Sequence, residues 1–182
     1  ENIVKETGIF VLSDEVYEHI VFVVFKHISI LESAILRQNG FVVASFGKVL
    51  HATGWKMGYV VANPFLTAEF RKIHQFNVFS VNTPIQFAVA DYLSDVNYYQ
   101  SLTPLFQQKR DFVVDKLSSS PFKVLPCEGT YFLLVDYSAI AQEKELDFAE
   151  KLTKEFKIAT IPVSAFYSNE VNQNLLRICF AK

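Results

Sequence analysis

Phe41-Val42-Val43-Ala44-Ser45-Phe46-Gly47-Lys48, followed shortly by Gly54-Trp55-Lys56-Met57-Gly58, is the stretch that decides the fold. An apolar run that switches at once to hydroxyl, glycine and lysine reads as a buried strand meeting its carboxyl-end loop. Small residues in that loop let the backbone come close to a ligand. The amine of Lys48 is a nucleophile in waiting, and Lys56 supplies a second cation suited to phosphate.

The same design appears on either side. Gly8-Ile9-Phe10-Val11-Leu12 ends in Ser13-Asp14-Glu15, and Met57-Gly58-Tyr59-Val60-Val61-Ala62 is closed by Asn63-Pro64. Three strands of this kind, buried on both faces, need helices on both sides, which makes the chain α/β with a parallel-type sheet. Ligands of such sheets lie beyond the carboxyl ends of the strands, where Asp14 and Lys48 fall. Helical periodicity runs from 67 to 79 and from 83 to 94, with Thr83-Pro84 as N-cap and first-turn residue. A long helix is expected from 97 to 118, its buried face formed by Leu102, Leu105, Phe106, Phe112, Val113 and Leu117. Pro104 marks a start or a kink in it.

Composition changes at Ser118-Ser119-Ser120-Pro121, which divides the chain into residues 1–118 and a small α+β unit, 119–182. The second part reads as strands at 122–125 and 130–135 around the turn Pro126-Cys127-Glu128-Gly129. A helix from 147 to 156 follows, with Asp147 and Glu150 as a capping pair, and then strands at 159–161 and 175–180.

At 51% hydrophobic and 20% charged, the chain folds rather than staying disordered. A net charge of −2 with no basic run argues against nucleic acid as a partner. The longest strongly apolar run, 20–25, is far too short to span a bilayer. Cys127 and Cys179 form neither a CxxC pair nor a metal pattern, and read as reduced core thiols of a cytoplasmic protein. His19, His27, His51 and His74 have no ligand spacing, so no metal is assigned. The chain has neither a GxGxxG nor a GxxxxGK[ST] loop, which disfavours an unrelated nucleotide-binding domain.

Five motifs, in order, carry a family resemblance: Ser13-Asp14-Glu15-Val16-Tyr17, Ser45-Phe46-Gly47-Lys48, Thr53-Gly54-Trp55-Lys56-Met57-Gly58-Tyr59, Phe79-Ser80-Val81-Asn82-Thr83-Pro84 and Leu176-Arg177-Ile178-Cys179-Phe180-Ala181. Together they resemble the class I/II aminotransferases, pyridoxal-phosphate (PLP) enzymes of fold type I. The branch most resembled is that of the methionine and kynurenine (glutamine-type) aminotransferases. The resemblance implies that residues 1–118 are the rear of the large PLP-binding domain with its connecting helix, and that 119–182 are an incomplete small domain.

It also implies roles. Lys48 is the Schiff-base lysine, since only an amine forms the imine, and the base of the 1,3-proton shift. Asp14 holds the ring nitrogen, and Tyr17 hydrogen-bonds the phenolic oxygen. Ser45 and Lys56 bind the phosphate, with Lys56 standing where many relatives have arginine and so lacking the bidentate fork. Arg177 clamps the substrate's α-carboxylate. Trp55 is read as packing, and Tyr131, Phe132 and Phe166 as core rather than pocket. Ser80 and Asn82 lie near the neighbouring subunit's cofactor if the family's homodimer forms.

The activity implied is transfer of an amino group from an amino acid (methionine, glutamine or aromatic) to a 2-oxo acid. A PLP-dependent C–S lyase and a non-catalytic remnant of the fold acting as a binding module are the alternatives. The resemblance covers only the second half of the family's subunit and lacks its Asn-Pro-x-Asn-Pro-Thr-Gly stretch, glycine-rich phosphate loop and ring-stacking aromatic. The chain is therefore expected to be a fragment, inactive alone, with strand edges and apolar faces uncovered.

Overall fold

The computed structural model describes residues 1–22, 24–169 and 171–181. Val23, within the apolar run 20–25, lies outside the described residues, as do Glu170 and Lys182. The chain forms two compact units, Glu1–His19 with Lys26–Leu102, and Ile20–Phe25 with Thr103–Lys182. By contact the second unit takes in the long helix from Thr103 onward, whereas the shift in composition lies at Ser118-Ser119-Ser120-Pro121.

The first unit runs α1 (Asn2–Thr7), β1 (Val11–Asp14), α2 (Ala34–Asn39), β2 (Gly40–Ser45), α3 (Phe46–Val49), β3 (Gly58–Ala62), α4 (Pro64–Asn77), α5 (Thr83–Tyr92) and α6 (Asn97–Gln100). Helix α1 stops where Gly8 turns left-handed, φ 66°, and its amide returns to the Val4 carbonyl. The sheet has the order β1-β2-β3. β1 and β2 are parallel, with Asp14 opposite Val43. The fold class is α/β, as the apolar runs and punctuation predict.

One direction differs. β3 is antiparallel to β2, with Ser45 opposite Gly58, and is not a third parallel strand. The two ends of the connecting segment are joined by the Phe46 amide donating to the Met57 carbonyl at 3.1 Å, so the chain turns back at the sheet's end instead of crossing over it. Nor are the strands buried on both faces: Leu12, Val60 and Val61 are exposed, as are Phe65, Phe76 and Phe87 on the helices. The uncovered apolar faces expected from the partial resemblance are present.

Caps set the helix starts. Asn63 Oδ1 accepts the Leu66 amide at 2.9 Å, so α4 begins at Pro64, ahead of the predicted position. In α5 the cap is Asn82, whose Oδ1 accepts the Ile85 amide at 3.2 Å. Thr83 and Pro84 are already helical, so the predicted Thr83 cap is displaced by one residue.

The second unit contains α7 (Leu102–Ser118), β4 (Lys123–Val124), β5 (Phe132–Asp136), α8 (Glu145–Phe156), β6 (Ile161–Pro162) and β7 (Leu175–Cys179). Its sheet has the order β4-β5-β7-β6 with antiparallel neighbours. The single helix predicted from 97 to 118 is two, α6 and α7, interrupted at Ser101. Pro104 lies in the first turn of α7, where its missing amide costs no helical bond. Phe106 is buried, but Leu105 and Phe112 are exposed, so the predicted apolar face is only partly covered.

The core of this unit gathers Leu133, Val135, Leu176, Tyr137 and Phe148. The Tyr137 and Phe148 rings stack at 4.4 Å, and the Tyr137 hydroxyl donates to the Glu143 carbonyl at 2.8 Å. Ile20 and Phe22 are fully buried here, and the Phe22 amide donates to the Glu128 carbonyl at 2.8 Å. The Arg110 guanidinium lies over the Phe22 ring at 4.4 Å. Helix α8 starts at Glu145, so Asp147 sits inside it and does not form the predicted capping pair.

Candidate active site

β1 ends at Asp14 and β2 at Ser45, and their parallel pairing puts both carboxyl ends at one edge of the first sheet. Lys48 follows Ser45 on α3. Because β3 returns antiparallel, Lys56, two residues ahead of its start, comes to the same edge. Asp14, Tyr17, Ser45, Lys48 and Lys56 are thus gathered by the topology of three strands.

Local geometry explains the residue types. Ser45 caps α3, its Oγ accepting the Gly47 amide at 3.1 Å. Gly47 is buried, and a Cβ on it would stand 2.9 Å from the Thr53 Cα, while the Thr53 hydroxyl donates to the Gly47 carbonyl at 3.1 Å. Lys48 is half-buried between buried Gly47 and Val49. Lys56 is exposed and left-handed, φ 54°, an uncommon backbone for a residue with a Cβ. Asp14 is exposed, and its Oδ1 accepts the Val16 amide at 3.1 Å. Trp55, predicted as packing, is instead 54% exposed.

Two carboxylates behind this edge are not among the site residues that the sequence singles out. Glu15, next to Asp14, is buried. It accepts the Ser13 hydroxyl at 3.0 Å and the Ile30 amide at 3.1 Å, and pairs with His27 Nε2 at 2.8 Å. Burial pushes its carboxyl up, but hydrogen bonds from His27, Ser29, Ile30 and Ser13 outweigh this and hold it below its ordinary value. Glu18 accepts the Tyr59 hydroxyl at the wall of a cavity of about 300 Å³ that also touches Ser45 and Phe46. Burial, and then the Glu18 carboxylate, push the Tyr59 phenol up. Only the alternation that puts Ser13 and Glu15 on one side of the chain pointed to the first of these, and nothing pointed to the second.

Arg177 belongs to the second unit. It lies on β7 opposite Leu134 and Ile161. Its guanidinium carbon is 4.6 Å from the centre of the Phe132 ring and 5.3 Å from that of Phe166. A cation inside an apolar strand is expected to find a partner, and here aromatic faces serve. Phe166 is 64% exposed and so is not the core residue the composition suggests. Tyr131 lies against Phe106, with ring centres 5.9 Å apart. Asn82 caps α5, and the Ser80 hydroxyl donates to the Val81 carbonyl.

Among the described residues, no group of histidine, cysteine and carboxylate side chains could hold a metal ion. Among the same residues, no helix is long and apolar enough to cross a membrane. Cys127 and Cys179 are free thiols, but Cys127 is only half-buried and Cys179 is exposed, so neither is the core thiol expected. The donors at the first sheet's edge do fit PLP. A hydroxyl and a cation suit its phosphate; an amine suits its aldehyde; a carboxylate suits its ring nitrogen.

The family description "Aminotransferase class I and II" matches residues 1–182. The chain is 50% identical over 175 residues to a methionine aminotransferase of Escherichia coli (strain K12), covering 96% of this chain and 45% of that protein. It is 30% identical over 194 residues to a kynurenine–oxoglutarate transaminase of Dictyostelium discoideum, covering 94% and 45%. A solved Escherichia coli structure with methionine aminotransferase function superposes with a TM-score of 0.94 at 47% identity, over 99% of this chain and 49% of that one. The N-succinyldiaminopimelate aminotransferase of Mycobacterium tuberculosis gives 0.92 at 29% identity, over 98% and 47%. The chain spans about half the length of the curated relatives it matches. It belongs to the class I and II aminotransferases, whose members use PLP.

Proposed function

We propose that this member of the class I and II aminotransferases is part of an enzyme that moves the amino group of methionine, glutamine or an aromatic amino acid to a 2-oxo acid. Methionine is the preferred donor, a reading supported by the identity to a protein named for that substrate. The observation that carries the proposal is the meeting of Lys48, Ser45 and Lys56 at one sheet edge, which depends on the antiparallel return of β3. The parent enzyme is proposed to be a cytoplasmic homodimer with a large and a small domain dividing near residue 118.

When bound, PLP supplies the electron sink that makes the substrate's α-proton removable. The chain's own groups do the rest. Lys48 Nζ would hold the cofactor through its aldehyde carbon, and its free amine would be the base that takes the proton from the substrate's α-carbon. The Asp14 carboxylate would keep the ring nitrogen protonated, and the Tyr17 hydroxyl would donate to the phenolic oxygen. Ser45 Oγ and Lys56 Nζ would bind the phosphate. The Arg177 guanidinium would grip the substrate's α-carboxylate.

The test uses the protein as its gene encodes it, supplied with PLP, methionine and a 2-oxo acid. The expected result is formation of methionine's oxo acid that requires the acceptor and is lost in Lys48→Ala. Acceptor-independent release of ammonia from sulfur amino acids would contradict the reading.

A further inference from the structure

Helix α8 opens with Glu145, which is only 1% exposed. Its carboxylate spends its lone pairs on backbone amides from three places. Oε2 accepts the amide of Ser164, in the 3-10 turn Val163–Phe166. Oε1 accepts the amides of Gln173 at 2.9 Å and Leu175 at 3.0 Å. The Glu145 amide in turn donates to Asn172 Oδ1 at 3.3 Å.

Two of these anchors lie close in the chain to Arg177 and to its ring partner. Ser164 is two residues ahead of Phe166, one of the two rings against the guanidinium. Leu175 begins β7, two residues ahead of Arg177. A buried carboxylate receiving amide hydrogen bonds is costly to disturb, because each loss leaves a buried polar group unpaired. One side chain therefore sets the turn that carries Phe166 against the strand that carries Arg177.

We propose that Glu145 is a positioning residue for Arg177: by tying the Phe166 turn to the start of β7, it fixes the aromatic setting that aims the guanidinium. The inference rests on reading Arg177 as the α-carboxylate clamp. Glu145 lies outside every motif of the site, and its carboxylate is taken up by backbone amides. Its effect is confined to substrates that Arg177 grips.

That confinement is the test. In the protein as its gene encodes it, kcat/KM is measured for the amino acid donor. The single-turnover rate is measured for the amine with the same side chain and no α-carboxylate. Glu145→Gln is expected to lower the amino acid value about tenfold, mostly through KM, while leaving the amine within about twofold. Equal losses for both, or no loss for either, overturn the proposal.

If Glu145→Gln fails to fold, Phe166→Leu, at an exposed ring, is read in the same way. A selective loss for the amino acid supports the proposal, and an equal loss or none overturns it. Arg177→Lys separates the two levels. If it does not discriminate amino acid from amine, the clamp reading fails and takes the inference with it. If it discriminates and Glu145→Gln (or Phe166→Leu, where Glu145→Gln does not fold) does not, only the role of Glu145 falls.

Discussion

Gly58 stands directly opposite Ser45 in the β2–β3 ladder, and a Cβ on Gly58 would lie 2.4 Å from the Ala44 carbonyl oxygen. The strand that carries Lys56 to the site can approach β2 this closely only because it begins with glycine. Gly58→Ala must push backbone from backbone. A loss of about 1–3 kcal/mol of stability is expected, in the range of overpacked cores, together with weaker PLP binding. Urea unfolding and cofactor titration check both; unchanged values would mean that the close approach is dispensable.

Glu15 gives a pH signature. Its folded carboxyl titrates below its ordinary value of about 4.5. Its contribution to stability is therefore present above that pH and lost as pH falls through the folded value. Glu15→Gln is expected to be less stable at pH 7 by about 1–3 kcal/mol, the cost of disturbing buried hydrogen bonds. The gap from the parent should close on acidification below about pH 4.5. Urea midpoints of both proteins across that range measure it, and a gap that widens would contradict the assignment.

Asn82 caps α5 through its side chain, while Thr83 is already helical. Asn82→Ala is expected to cost about 1 kcal/mol and Asn82→Asp much less. Thr83→Ala should be close to neutral. Hydrogen exchange of the first turn of α5 distinguishes the two positions.

The elements nearest Lys48 were legible because short apolar runs that end abruptly in polar residues have few readings. Direction was not legible: nothing in Met57 to Ala62 says that β3 turns back, since that follows from the Phe46–Met57 hydrogen bond at the sheet's end. The break between α6 and α7 at Ser101 escaped a periodicity that runs on through both. The apolar runs also predict strands covered on two faces, yet Leu12, Val60 and Val61 are open in this chain. Pattern records what a residue is suited to, and cover has to be supplied by other elements. Glu15 and Glu145 were illegible for a related reason. A buried acid looks like a surface acid until the amides that satisfy it are brought in from distant segments.

The central claim is that Lys48 is the residue that takes PLP. The most direct measurement is reduction of the PLP-treated protein with borohydride, followed by peptide mapping of the wild type and of Lys48→Ala. The expected result is a visible cofactor band that borohydride bleaches, with the reduced label on the peptide containing Lys48, and neither band nor label in the variant. A wild type that takes up no label, or a variant labelled equally at another lysine, would contradict it.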